Sequence, residues 1–174
     1  DSIFNQIQSF TNDSLSKNIQ TIIDKKFVKN SDLHAQLEDV YKRIKYYFPK
    51  YNASPKIYTF NATYAIQMFT FLDNQQKDAI GIGLDMFMHP DIDYKMINPD
   101  NTNFSDYITR SWNKDHIVKK IADIYIADIV GETPGHRMLD QMIHNGKALF
   151  LTDLLLPLAH DSIIHEYTGK QLKW

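Results

Sequence analysis

The sequence predicts an α+β fold, mostly helical with a small antiparallel sheet. Three observations carry this. Apolar residues recur at three- and four-residue steps over residues 1–48 and again from Asp115, which is the period of amphipathic helices. Between those stretches lie three short runs rich in β-branched and aromatic residues. Composition supplies the third, since 174 residues that are 43% apolar, 23% charged and 13% aromatic make an ordinary globular chain able to bury its own core.

Ile19, Ile22, Ile23 and Phe27 mark a first helix, and Leu33, Leu37, Val40, Ile44 and Tyr47 a second. The second is capped by Ser31-Asp32 and stops at Phe48-Pro49, because the residue before a proline is pushed out of the helical region. Lys56–Phe60 (KIYTF), Gln67–Leu72 (QMFTFL) and Ala79–Leu84 (AIGIGL) read as strands, separated by Asn-Ala and Asp-Asn-Gln-Gln turns. Residues 85–113, with His89-Pro90 and Asn98-Pro99-Asp100, form a long irregular connection with room for a short helix. Ile117, Ile121, Ile124, Tyr125 and Ile129 restore the helical period until Gly131 and Pro134. A further helix runs from Gly135 to Leu155 and is stopped by Pro157, a turn or helix covers 159–166, and Thr168 caps a last helix. Residues 1–174 thus read as one domain, expected to continue past Trp174.

Several function classes have no support. Nineteen Lys+Arg against 21 Asp+Glu leave a net charge of −2, so nothing favours nucleic acid or a polybasic membrane contact. The absence of cysteine removes disulfides, thiol catalysis and cysteine zinc sites. No apolar run is long enough to span a bilayer, and no signal sequence precedes Asp1. The nucleophile elbow is missing, and Gly81-Ile82-Gly83 lacks the third glycine of a dinucleotide fingerprint.

The motifs that come nearest to chemistry fail on spacing. His165-Glu166 opens like H-E-x-x-H, in which two histidines one helical turn apart hold zinc, but the second position is Gly169. His136 and His144 stand eight apart and His160 and His165 five apart, so neither is the i, i+4 pair that aligns two imidazoles on one helix face. Gly146-Lys147 lacks the earlier glycine and following hydroxyl of a phosphate loop; Gly146 is expected to admit a neighbouring backbone, with Lys147 along the surface. Asp123, Asp128, Asp140 and Asp153 sit on the last two long helices as a solvated face or a carboxylate pair. Asp85 follows an apolar strand, where a polar group is an end-of-strand hydrogen bonder or a site residue.

Taken in order, IGLDMF (Ile82–Phe87), MIHNGKALF (Met142–Phe150) with Asp153 after it, and YTGKQLKW (Tyr167–Trp174) resemble the gliding-motility-associated lipoprotein B family of Bacteroidetes. IKYYFP (Ile44–Pro49) extends the likeness upstream. The resemblance implies a degenerate layout similar to zinc peptidases, in which a helical start and a small sheet precede two helices that carried the metal ligands. Here the first of those helices, Ile117–Val130, has no histidine, and Asn145 stands where a glutamate ligand would be. It therefore implies a non-catalytic component of gliding or surface-protein machinery, with no metal or cofactor and with envelope proteins as partners. The location implied is the periplasm or outer membrane, reached through a lipid anchor outside this chain. The surface implied lies in a groove between the sheet and the last two helices, with Asp85, His89, Asn145, Lys147 and Asp153 as its polar residues. The rival reading is a metal-dependent hydrolase of the zinc-peptidase type, with a site built from His89, His136 or His144.

Overall fold

Asp13 interrupts what periodicity alone joins into one N-terminal helix. Its carboxylate accepts from the Ser16 N–H at 2.8 Å, which caps a new helix and divides the segment into α1 (Ser2–Asn12) and α2 (Ser14–Lys26). The computed structural model describes residues 2–51 and 55–173; for Ser2, Ile3, Gln6, Ile7 and Phe10 it describes the backbone alone, and Trp174, the last residue of the family-like segments, lies outside it. The described chain forms two compact units, residues 1–32 with 54–113, and residues 33–53 with 114–174.

In the first unit, α2 buries Ile19, Ile23 and Phe27, the i, i+4, i+8 stripe expected of it, and packs against a 3-10 turn at Leu84–Phe87. Three strands follow the predicted order: β1 (Lys56–Phe60), β2 (Met68–Leu72) and β3 (Asp78–Gly83). The α+β class holds, but the sheet is mixed. Strand order is β1-β3-β2, so β3 pairs antiparallel with its hairpin partner β2 while β1 lies parallel on the other side. The reason is topological: a chain that must return across β2 to reach β3 arrives running in the direction of β1. Asp73 makes the hairpin turn, accepting from the Gln75 and Lys77 N–H groups and from Lys56 Nζ at 2.8 Å. These bonds, the lysine's first, hold its carboxyl down at about 2.

Small residues in β3 let rings cover it. Tyr58 and Phe69 stand beside Gly81 in register, and a Cβ at Gly81 would sit 2.7 Å from the Phe69 ring. The Phe69 ring therefore lies on the strand backbone, with Phe60 5.5 Å and Phe71 5.4 Å away between ring centres. On the opposite side of β3, Ile80 and Ile82 are buried.

The connection after β3 is not irregular throughout. It contains the short helices α4 (Tyr94–Ile97) and α5 (Asp106–Thr109) and a 3-10 turn at Thr102–Phe104. They close over a cluster of rings in which Trp112 stands 5.0 Å from Tyr94 and 5.5 Å from Phe104.

The second unit holds α3 (Ser31–Tyr47), α6 (Ile117–Val130), α7 (Met138–Leu155) and the single-turn α8 (Asp161–Ile164). Leu37, Val40, Ile44, Ile117, Ile121 and Ile126 form its core, and Tyr41 meets Tyr125 edge-on at 5.9 Å. Gly131 ends α6 at φ +68°, a conformation that glycine adopts without strain. α7 begins three residues later than Gly135, because Arg137 and Asp140 close a box at its start. Thr168 does cap, its hydroxyl accepting from the Gln171 N–H at 3.4 Å while its own N–H donates to the Gln171 side chain, but the segment it caps is a 3-10 turn at Gln171–Lys173 rather than a helix.

Candidate functional site

The first unit brings its polar chemistry together at Asp85. This residue is 0% exposed, and its carboxylate accepts from the N–H groups of Ala62 and Tyr64 in the loop between β1 and β2. Thr63 and Tyr64 both occupy the left-handed region, at φ +51° and +65°, which side-chain-bearing residues adopt only where the surroundings impose it. Asp85 supplies that imposition. The same loop presses on Gly83, where a Cβ would stand 2.1 Å from the Ile66 carbonyl oxygen. Gly83-Leu84-Asp85 is therefore a device in which the glycine admits the loop and the aspartate holds it. Burial pushes the Asp85 carboxyl above its ordinary value, and the two N–H donors offset part of that rise. Its backbone oxygen accepts from Tyr94 Oη at 2.7 Å, and Tyr94 Oη in turn accepts from the Met88 N–H at 2.8 Å.

His89 lies in the same unit and is half-buried. Its N–H donates to the Trp112 carbonyl at 2.9 Å, and its own carbonyl accepts from Lys26 Nζ. That ammonium also reaches the Met88 carbonyl and Asp91, so it fastens α2 to this corner. What the structure shows at His89 is backbone anchoring.

Asn145, Lys147 and Asp153 belong to the second unit, where all three are exposed on α7. This helix is apolar on two sides. His144, Ala148, Leu151 and Leu155 form the side that turns inward, and α7 packs on α6. Leu139, Met142, Ile143, Leu149 and Phe150 lie on the outer side, with Met142 62% and Phe150 65% exposed. Gly146 sits in the middle of that outer side, and a Cβ built there meets nothing within 4 Å. The close backbone approach expected at Gly146 is therefore absent from this chain's own packing. Lys147 borders a shallow cleft with Val130, Glu132, Pro134, Asp140, Ile143 and His144.

The four helical aspartates do not act as a pair. Asp123 binds Lys119 at 2.8 Å, Asp140 binds Arg137 at 2.9 Å, and Asp128 accepts from the Tyr51 hydroxyl. His165-Glu166 lies in the turn after α8, off any helix, with the His165 ring stacked on Tyr167 at 5.8 Å. Glu166 has a part that sequence reasoning missed. Standing at φ +53°, it accepts from Lys119 at 3.1 Å and Lys120 at 2.8 Å. Burial raises its carboxyl, but the two ammonium groups outweigh that and hold it at about 2. The adjacent lysines of α6 were the available signal, although they named no partner. Among the described residues, no group of three or more His, Asp or Glu is placed to hold a metal ion, and no helix is long and apolar enough to cross a membrane.

With this geometry in place, comparison identifies the chain. It belongs to the family described as gliding motility protein GldB, which matches residues 1–174. No curated protein and no solved structure matches it.

Proposed function

We propose that this gliding-motility-related chain is a non-catalytic binding or assembly component of the cell envelope, held at a membrane by a lipid anchor outside these residues. The observation that carries the reading is α7. A helix that packs on α6 along one side and leaves five large apolar side chains exposed along the other presents more apolar surface than an isolated fold needs. Asn145, Lys147 and Asp153 supply polar neighbours to that surface. The carboxylates described in the two units favour contact over catalysis. Asp85 is committed to a loop, Glu166 to two lysines, and Asp123 and Asp140 to single basic partners. Asp85 and His89 then serve by shaping the first unit, and the surface is assigned to α7.

The test is made in the host that carries this chain. Met142→Asp with Phe150→Asp is expected to abolish gliding while the protein's abundance and circular dichroism stay unchanged. Undisturbed gliding at normal abundance would sink the α7 assignment. Stoichiometric zinc in protein purified without chelator, lost on substituting His89, His136 or His144, would replace it with the hydrolase reading.

A further inference from the structure

The net charge of the whole chain conceals a local excess. Residues 40–53, in the second unit, hold four cations, Lys42, Arg43, Lys45 and Lys50, and no Asp or Glu, whereas the chain as a whole carries −2. The same stretch is rich in rings. Tyr46 is 79% exposed and Tyr47 43%, and the two meet edge-on at 4.9 Å, while Phe48 and Tyr51 form a second edge-on pair at 6.4 Å.

The backbone gathers these groups at one end of α3. Val40 and Ile44 are buried, so Lys42 and Tyr46, at i and i+4, share the opposite side of its last two turns, with Arg43 and Lys45 flanking them. Beyond the helix, the Tyr51 N–H donates to the Phe48 carbonyl at 2.9 Å and closes a turn that carries the exposed Lys50. Nearby acids do not cancel the cluster. Lys42 is shared with Glu38 at 3.5 Å and Asp39 at 3.9 Å, and Asp128 of α6 accepts from the Tyr51 hydroxyl, but Arg43, Lys45 and Lys50 make no ion pair among the described residues. The negative end of the helix dipole accounts for a cation in the last turn, which is Lys45. It accounts neither for Lys50 outside the helix nor for two exposed tyrosines.

We infer that this end of α3 lies on a bilayer surface carrying anionic headgroups. Lysine and arginine gain there from the negative surface potential, and tyrosine sets its ring at the headgroup level with its hydroxyl in water. Exposed rings alone would suit many partners; the unpaired cations beside them select a negatively charged one. The choice of a bilayer among polyanions rests on the envelope reading above, in which a lipid anchor already brings the chain to a membrane. A lipid chain acting with a basic patch holds a protein there far better than either does alone.

Vesicle sedimentation of the 174-residue chain, prepared without a lipid, decides it. Vesicles of phosphatidylcholine with about 30% phosphatidylglycerol should carry the chain down, and pure phosphatidylcholine should not. Raising salt from about 0.1 M to about 1 M shortens the screening length from about 10 Å to about 3 Å and should release it. One cation near such a surface is worth about fivefold in partition, so Lys45→Glu with Lys50→Glu should weaken binding by at least about twentyfold. Lys77→Glu with Lys95→Glu, at exposed positions of the first unit, makes the same change in net charge and should bind as the wild type does. Tyr46→Ser, which leaves every charge in place, should weaken binding severalfold. All of these sites are exposed, and circular dichroism verifies that each variant is folded. Absent binding, equal binding to neutral and anionic vesicles, equal losses from the two lysine pairs or indifference to Tyr46→Ser overturns the inference. Tighter binding to single-stranded RNA than to anionic vesicles, lost in Lys45→Glu with Lys50→Glu, overturns it as well and assigns the cluster to nucleic acid. None of these outcomes touches the α7 surface, which is decided separately by gliding of the Met142→Asp, Phe150→Asp host.

Discussion

Asp85 and Glu166 are two carboxylates withdrawn from water by opposite means. Asp85, in the first unit, is held by backbone N–H groups of Ala62 and Tyr64; Glu166, in the second, is held by the ammonium groups of Lys119 and Lys120. The consequence shows in their acidity. Asp85 is pushed up, because oriented N–H dipoles only partly replace lost hydration, while Glu166 is held down because full positive charges more than replace it. A carboxylate held by the backbone specifies the shape of a loop. One held by lysines fastens one segment to another and depends on charge.

Removing Asp85 should be the costlier change. Asp85→Ala strands two N–H groups beneath a loop that already sits in the left-handed region, and should destabilise the chain by about 3 kcal/mol. Asp85→Asn keeps one acceptor oxygen and should recover part of it. Urea unfolding of both variants measures the difference, and an alanine variant as stable as the wild type would mean that the loop holds itself.

Glu166→Gln keeps the shape and removes the charge, and should cost about 2 kcal/mol, since a charge-assisted bond is worth roughly twice a neutral one. The pH dependence sharpens the contrast. Glu166 has a folded value of about 2 against an ordinary value of 4.5, so its contribution is present above 4.5 and is lost as pH falls from there to about 2. Asp85 has a raised folded value, so its contribution is complete below the ordinary carboxylate value and is lost as pH rises through the raised one. NMR signals of the Lys119 and Lys120 side chains should therefore shift as pH falls from 4.5 towards 2 in the wild type and be insensitive in Glu166→Gln. Parallel behaviour in the two proteins would remove the lysine tether from the account.

The smallest effect is expected at Gly146. Open space above it means that Gly146→Ala should stabilise the monomer by about 1 kcal/mol, read as a higher melting temperature at dilutions where any self-association is broken. A lower one would show a neighbouring backbone within reach after all.

The fold is legible where a local rule decides it. The i, i+4 stripes of α2 and α3 and the strand runs at 56–60 and 78–83 follow from side-chain period, and Gly131 is recognisable as a stop. The division at Asp13 is less visible, because an aspartate inside an apolar period looks like one more exposed position until its carboxylate is seen on the Ser16 N–H. The parallel pairing of β1 is not available from the strands themselves, since partner choice is a long-range matter. At the candidate site, Asp85 stands out by following an apolar strand, but its partners lie more than twenty residues upstream in a loop that sequence marks only as a turn. Gly146 draws notice for the right reason, an unfavourable residue in a helix, yet the contact expected there is wrong because a missing side chain does not say what fills its place.

The ring of Phe69 lying on Gly81 binds two positions into one heritable unit. Any side chain acquired at position 81 must displace the ring, and losing the ring uncovers the backbone of the central strand to water. Neither site can drift alone, so descendants of this chain are expected to keep the pair or to exchange both together. A relative carrying alanine or larger at 81 should be found with a smaller or differently placed residue at 69.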